Sequence, residues 1–193
     1  MSRELNAHQF PDVYSALGIE LDKLGCVMLD LSKVPVLSYI PETEGRIEDE
    51  LYVSKHPDRF WIDGAMAERK SHITLLYGLL SRDWQDHILR VLNGWDLPVY
   101  VELDGLEVFE SPYSDEDSGY SCIVARVRVS PGLREGRARL ELLPHINTFT
   151  EWKTHVTLAY VRSEYRDKWV QALEKNLPRI LAVTGIDIGD QHD

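Results

Sequence analysis

Two octapeptides, 70–77 and 153–160, align without gaps as Lys-Ser-His-Ile-Thr-Leu-Leu-Tyr and Lys-Thr-His-Val-Thr-Leu-Ala-Tyr. Five of the eight positions are identical, and the Ser/Thr and Ile/Val exchanges are conservative. Both copies have strand composition, and in a strand successive side chains leave opposite faces. His72 and Thr74 therefore share one face against Ile73 and Leu75, and His155 and Thr157 share one against Val156 and Leu158. A strand of this kind suits a place where its apolar side rests on helices and its polar side lines a cleft. Each copy is followed by a helix-like segment with a tryptophan, Trp84 or Trp169, so the repeated object is a supersecondary unit. If two such units pack about a pseudo-twofold axis, both histidines meet in one groove.

The rest of the chain supplies partners for these strands. A buried strand is expected at 24–31, and 39–63, with Pro41 and Pro57, reads as a long loop with one short strand at 51–54. A helix follows the first repeat from Ser81 or Asp83 as cap, with Trp84, Ile88, Leu89 and Leu92 on one face and Gly94 as its stop. Strands at 99–110 and 120–129 form a hairpin with a polar tip. Pro131 opens a helix over 132–143, the second repeat gives a strand at 153–161, a helix covers 164–176, and a strand closes the chain at 180–188. The alternation predicts an α+β fold with helices outside the sheets. All 193 residues are expected in one domain of two lobes, since no linker or low-complexity tract divides them.

Histidine can take or give a proton near neutral pH, and one such group typically contributes on the order of 10²–10⁴-fold to a reaction. A pair supplies both steps of phosphodiester cleavage: a proton taken from the attacking oxygen and one given to the leaving oxygen. Threonine hydroxyls on the same face can donate to the non-bridging phosphate oxygens where charge builds up. The catalytic set read from the sequence is thus His72, Thr74, His155 and Thr157. Lys70 and Lys153 stand two positions before each histidine and are candidates to reach a phosphate; Tyr39 and Trp152 are candidates to stack on a base, and Asp187 to read a base edge. No cofactor is expected. A zinc site is disfavoured because no cysteine cluster or His-x-x-x-His spacing accompanies the pair.

The paired motifs His72-Ile-Thr74 and His155-Val-Thr157 resemble those of the 2H phosphoesterase superfamily, over 24–189 of the chain. The resemblance implies a bilobal, pseudo-symmetric fold in which two antiparallel sheets line a central cleft. It also implies metal-independent cleavage of substrates such as 2′,3′-cyclic phosphates, 2′-5′ oligoadenylates or cyclic dinucleotides. The short acidic chain and the Trp-Lys-Thr-His-Val-Thr-Leu-Ala-Tyr run look like bacteriophage members, some of which destroy the cyclic nucleotide signals of the bacterial CBASS defence. Cleavage of such cyclic di- or oligonucleotides is the first expectation, and processing of a 2′,3′-cyclic phosphate or RNA end is the alternative. A protein that only sequesters its nucleotide is the reading from another class, disfavoured because both motifs are intact.

A formal net charge of −11 bears on the partner. Proteins that hold long nucleic acids carry basic surface to neutralise phosphates, so a small nucleotide or short oligonucleotide is the expected substrate, not a long strand. No apolar run approaches the roughly 20 residues of a membrane span. With only Cys26 and Cys122, neither a disulfide framework nor a signal core is evident, and a soluble protein of a reducing cytoplasm, the host's if phage-encoded, is expected.

Overall fold

The computed structural model describes residues 24–41, 47–51, 71–81, 83–110, 119–146 and 151–189. In chain order the elements are β1 (Gly25–Leu31), β2 (His72–Leu79), α1 (Gln85–Val91), β3 (Tyr100–Glu110), β4 (Tyr120–Val127), α2 (Pro131–Leu140), β5 (His155–Arg162), α3 (Arg166–Asn176) and β6 (Ile180–Gly189). Short 3₁₀ turns lie at Val36–Tyr39, Ile47–Glu50 and Ser163–Tyr165. The expected α+β class holds. Of the short strand expected at 51–54, Leu51 forms a single bridge to Val161, and 52–54 lie outside the described residues.

The strands form one six-stranded sheet in the order β2-β1-β6-β3-β4-β5, with every neighbouring pair antiparallel. This corrects the expectation of two separate sheets. The join is a short ladder in which Tyr100, Val101 and Glu102 of β3 face Ala182, Leu181 and Ile180 of β6. The sheet is also bent on itself: β2 and β5, at opposite ends of the strand order, lie in contact.

One face of the sheet is apolar. Val27, Leu29, Ile73, Leu75, Ile123, Ala125, Val156 and Leu158 are all buried on it, in one core with Ile88 of α1, Leu133 and Leu140 of α2, and Trp169 and Leu173 of α3. Burial of a Leu- or Ile-sized side chain is worth about 1.5–3 kcal/mol, so this face alone secures the sheet to its helices. Ser130 caps α2 by accepting from the Leu133 amide at 3.2 Å, with Pro131 in the first turn as read from the sequence.

Departures are local. The first helix is shorter than expected: Trp84 stands at its cap position, partly buried against the core, and Leu89 is 59 % exposed, off the expected apolar face. Buried Glu50 accepts from Lys168 Nζ at 2.6 Å and from Trp169 Nε1 at 2.8 Å, which fixes the 3₁₀ turn at Ile47–Glu50 against α3. At the end of β2, Gly78 has φ +96°, and a Cβ there would collide with the Ile146 carbonyl; its own carbonyl accepts from the Ile146 amide at 2.9 Å. Among the described residues, no helix is long and apolar enough to cross a membrane.

Candidate active site

The two repeats carry the same irregularity at the same place. Along β1–β2, Asp30 faces His72, Leu29 faces Ile73 and Met28 faces Thr74; the register then shifts, and Val27 faces Leu76 while Cys26 faces Tyr77. Along β4–β5, Arg126 faces His155, Ala125 faces Val156 and Val124 faces Thr157; after a shift, Ile123 faces Ala159 and Cys122 faces Tyr160. Leu75 and Leu158 are the extra residues, each a β-bulge. Strict alternation would send the repeat's tyrosine to the opposite face from its threonine. The bulge instead sets His72, Thr74 and Tyr77 on one face, all partly exposed, with Ile73, Leu75 and Leu76 buried behind. The pattern recurs for His155, Thr157 and Tyr160 over Val156, Leu158 and Ala159.

The contact between β2 and β5 draws the two sets together. Trp152, just before β5, donates from Nε1 to the Thr74 carbonyl at 3.1 Å. The Arg137 guanidinium lies 4.8 Å from the Trp152 ring centroid, and its Nη1 donates to the Leu75 carbonyl at 3.0 Å. Edge strand β2 is thus clasped at the backbone of its own motif by the residue leading into the other. His72 and His155 are near enough that a positive charge on His72 disfavours one on His155.

His155 is the better defined of the pair. Its Nδ1 lies 2.8 Å from the Lys153 carbonyl. A carbonyl can only accept, so Nδ1 carries the hydrogen and Nε2 the lone pair. The Phe109 ring meets the imidazole edge-on at 5.1 Å and 83°. Burial above all, with the charge of His72, holds the His155 pKa below the ordinary 6.5, while the bond to Lys153 and the charge of Glu107 pull it upward. At neutral pH His155 is a neutral imidazole, ready to accept a proton.

The other expected ligand residues fall differently. Asp187 faces Met28 across β1–β6 and so lies on the face of Thr74. Trp152 is partly buried in the clasp, and Lys153 is exposed, with its carbonyl holding His155. Tyr39 ends the turn at Val36–Tyr39 and packs against the hydrophobic core. Lys70 lies outside the described residues. Sequence reasoning passed over Glu107, Phe109, Cys26, Cys122, Tyr77 and Tyr160. The tyrosines had a signal, since each is an identity of the repeat. Glu107 and Phe109 had none, because their place depends on the ladder in which they face Val124 and Cys122. Among the described residues, no group of three or more His, Cys, Asp or Glu is placed to hold a metal ion.

The fold, an antiparallel sheet covered by helices on one face, is also seen among solved structures. Usb1 of Kluyveromyces marxianus matches with a TM-score of 0.51 at 11% identity, over 90% of this chain and 96% of that one. A structure of the same Usb1 with uridine monophosphate aligns with a TM-score of 0.44 at 11% identity, over 89% of this chain and 100% of that one. No family model matches the sequence, and no curated protein does.

Proposed function

We propose that this chain is a metal-independent phosphodiesterase of the two-histidine type that acts on the end of a short ribonucleotide or on its 2′,3′-cyclic phosphate. The observation that carries the proposal is the convergence of two identically bulged His-x-Thr strands on one exposed face, with the histidines within reach of each other's charge. His155, neutral and with its lone pair on Nε2, takes the proton from the attacking hydroxyl or water. His72 gives a proton to the leaving oxygen as the P–O bond breaks. Thr74 and Thr157 donate to the non-bridging oxygens, which gain charge in the transition state. Asp187 and Glu107 face the nucleoside. The two lobes of the expected pseudo-symmetric fold correspond, in this reading, to β2-β1-β6 and β5-β4-β3.

The likeness of fold to Usb1, an RNA 3′-end-processing enzyme of the 2H superfamily, supports ribonucleotide ends as the substrate class. A second reading, cleavage of cyclic di- or oligonucleotide immune signals of the anti-CBASS kind, draws support from the net charge of −11, which suits a small diffusible ligand. One panel separates them: uridine 2′,3′-cyclic phosphate, a short oligouridylate, 2′-5′ oligoadenylate, and cyclic di- and trinucleotides, resolved by chromatography in excess EDTA. Turnover of the first two, surviving chelation, is the expected result. Preferential turnover of the cyclic oligonucleotides would move the assignment to the second reading. Activity lost to EDTA and restored by zinc or manganese would end the two-histidine mechanism, and tight binding without turnover would point to sequestration.

A further inference from the structure

The two halves of the sheet can be laid over each other row by row, since residues opposite each other on neighbouring strands share a face. Tyr160, Cys122 and Phe109 in one half answer to Tyr77, Cys26 and Gly189 in the other. In the next row Thr157, Val124 and Glu107 answer to Thr74, Met28 and Asp187. A carboxylate thus recurs two strands away from each threonine, whereas an aromatic ring stands at the matching place in one half only. Phe109 is half-buried, and its ring meets the His155 imidazole with 5.1 Å between centroids and 83° between planes. The same imidazole is held at Nδ1 by the Lys153 carbonyl at 2.8 Å. The counterpart of Phe109, Gly189, brings no ring to the half that carries His72.

We infer that Phe109 is the positioning residue that makes His155, of two histidines carried by the same motif, the proton acceptor: its ring fixes the imidazole plane and covers it from water. The inference rests on the two-histidine reading and answers what the repeat leaves open, which of the pair is the base. A single hydrogen bond at Nδ1 lets an imidazole pivot about that bond, and an edge-to-face contact from a second ring stops the pivot. Charge is governed by the same cover. Arg126 of β4 faces His155, Glu107 of β3 and His72 of β2 act on it by their charges, and buried Asp30 of β1 stands opposite His72. Arg126 turns its guanidinium to the Asp104 carbonyl. Burial, the largest influence, holds the His155 pKa below the ordinary 6.5 with help from His72, against the Lys153 bond and Glu107. A ring presenting its π face to an imidazolium would act in the other direction, so the lowering is the mark of a cover.

The test compares the wild type with Phe109→Leu, which keeps apolar bulk without a ring, and with Phe109→Tyr, which keeps the ring; Phe109→Met replaces the leucine variant if that one does not fold. The His155 imidazole is titrated by NMR, and kcat and KM on uridine 2′,3′-cyclic phosphate are measured across the same pH range. An edge-to-face aromatic contact is worth about two- to tenfold in the population of the arrangement it holds. Phe109→Leu should lower the plateau kcat by about that factor with KM little changed, and should raise the His155 midpoint toward the ordinary 6.5, carrying the acid limb of kcat with it. The sign follows from the role: a base works only when deprotonated, and an uncovered imidazole keeps its proton to higher pH. Phe109→Tyr should match the wild type in every readout. A lower kcat with the midpoint and acid limb unmoved would mean that the ring merely packs. A raised KM alone would make Phe109 a nucleoside contact, and a midpoint that falls would mean that its π face favours the imidazolium. Each of these overturns the inference and leaves the two-histidine reading intact. A wild-type protein that neither cleaves nor binds the probe, or a His155→Ala variant at full rate, would overturn that reading and the inference with it.

Discussion

The clasp between the two motif strands can be broken with one heteroatom. Trp152→Phe keeps an aromatic ring under Arg137 but removes the N–H that meets the Thr74 carbonyl at 3.1 Å. Losing that bond leaves a partly buried carbonyl unpaired, at about 0.5–1.5 kcal/mol, and the weaker cation–π contact adds about 0.5 kcal/mol. A total of about 1–2 kcal/mol, with a urea slope near 2 kcal/mol per molar for a chain of this size, lowers the unfolding midpoint by about 0.5–1 M. The catalytic effect should be larger than the stability effect suggests, because the bond sets the distance between two halves of one reaction site. A misplacement of about 1 Å can cost about 10²-fold in turnover. Urea denaturation followed by circular dichroism, with kcat and KM measured on the folded variant, checks both parts. Lost stability with undiminished kcat would refute the claim that the clasp aligns the histidines. Unchanged stability with a raised KM alone would instead make Trp152 a base-stacking platform.

Removing either imidazole, by His72→Ala or His155→Ala, should abolish turnover in a protein whose circular dichroism is unchanged, whereas Thr74→Ala and Thr157→Ala should cost about 10²-fold apiece; ordinary rates in a folded histidine variant contradict the assignment. By NMR titration the His155 imidazole should protonate below the ordinary 6.5, and in His72→Ala its midpoint should rise toward that value as the neighbouring charge disappears. The sign for stability follows: the unfolded chain takes this proton more readily than the folded one, so stability present above the ordinary histidine value is lost as pH falls below it. A 2′-deoxy substitution beside the scissile phosphate of the oligouridylate should leave binding unchanged and stop cleavage, because the base then has no hydroxyl to activate; fast cleavage of the deoxy compound would show that water attacks directly.

The part of this site that could be read from the chain is the part encoded locally. His72, Thr74, His155 and Thr157 announce themselves as a repeat, and strand alternation correctly put each pair on one face opposite its apolar neighbours. Alternation failed at Tyr77 and Tyr160 because the bulges at Leu75 and Leu158 lie within apolar pairs, Leu-Leu and Leu-Ala, which leave no mark in the hydrophobic pattern. The single sheet was likewise illegible. It depends on three residue pairs between β3 and β6, distant in sequence, and neither strand's composition names the other. Trp152 was read as a residue beside a lysine, and only the packing of β2 against β5 turns its indole into a clasp. Leu89 shows the opposite error, an apolar residue at helical spacing in a helix too short to bury it.

The electrostatics of the open face bear on what it can hold. Glu107 and Asp187 stand on it, opposite Val124 and Met28, while Asp30 opposite His72 is buried. Of the described cations, Arg126 faces His155 but spends its guanidinium on the Asp104 carbonyl, at 2.7 and 3.0 Å. In the proposed mechanism a phosphate would be engaged by the threonine hydroxyls and the histidine pair, which gain most where charge rises in the transition state and little from a ground-state polyanion. Among the described residues of this face, each further phosphate of a long strand would meet carboxylates and not the basic surface whose counterion release supplies most affinity for long nucleic acids. The sugar hydroxyls and base amines of a single nucleoside, by contrast, are donors that these carboxylates can accept from. In the proposed reading, the same acidity that would weaken binding of a strand would favour its last nucleotide, with a terminal or cyclic phosphate as the group engaged.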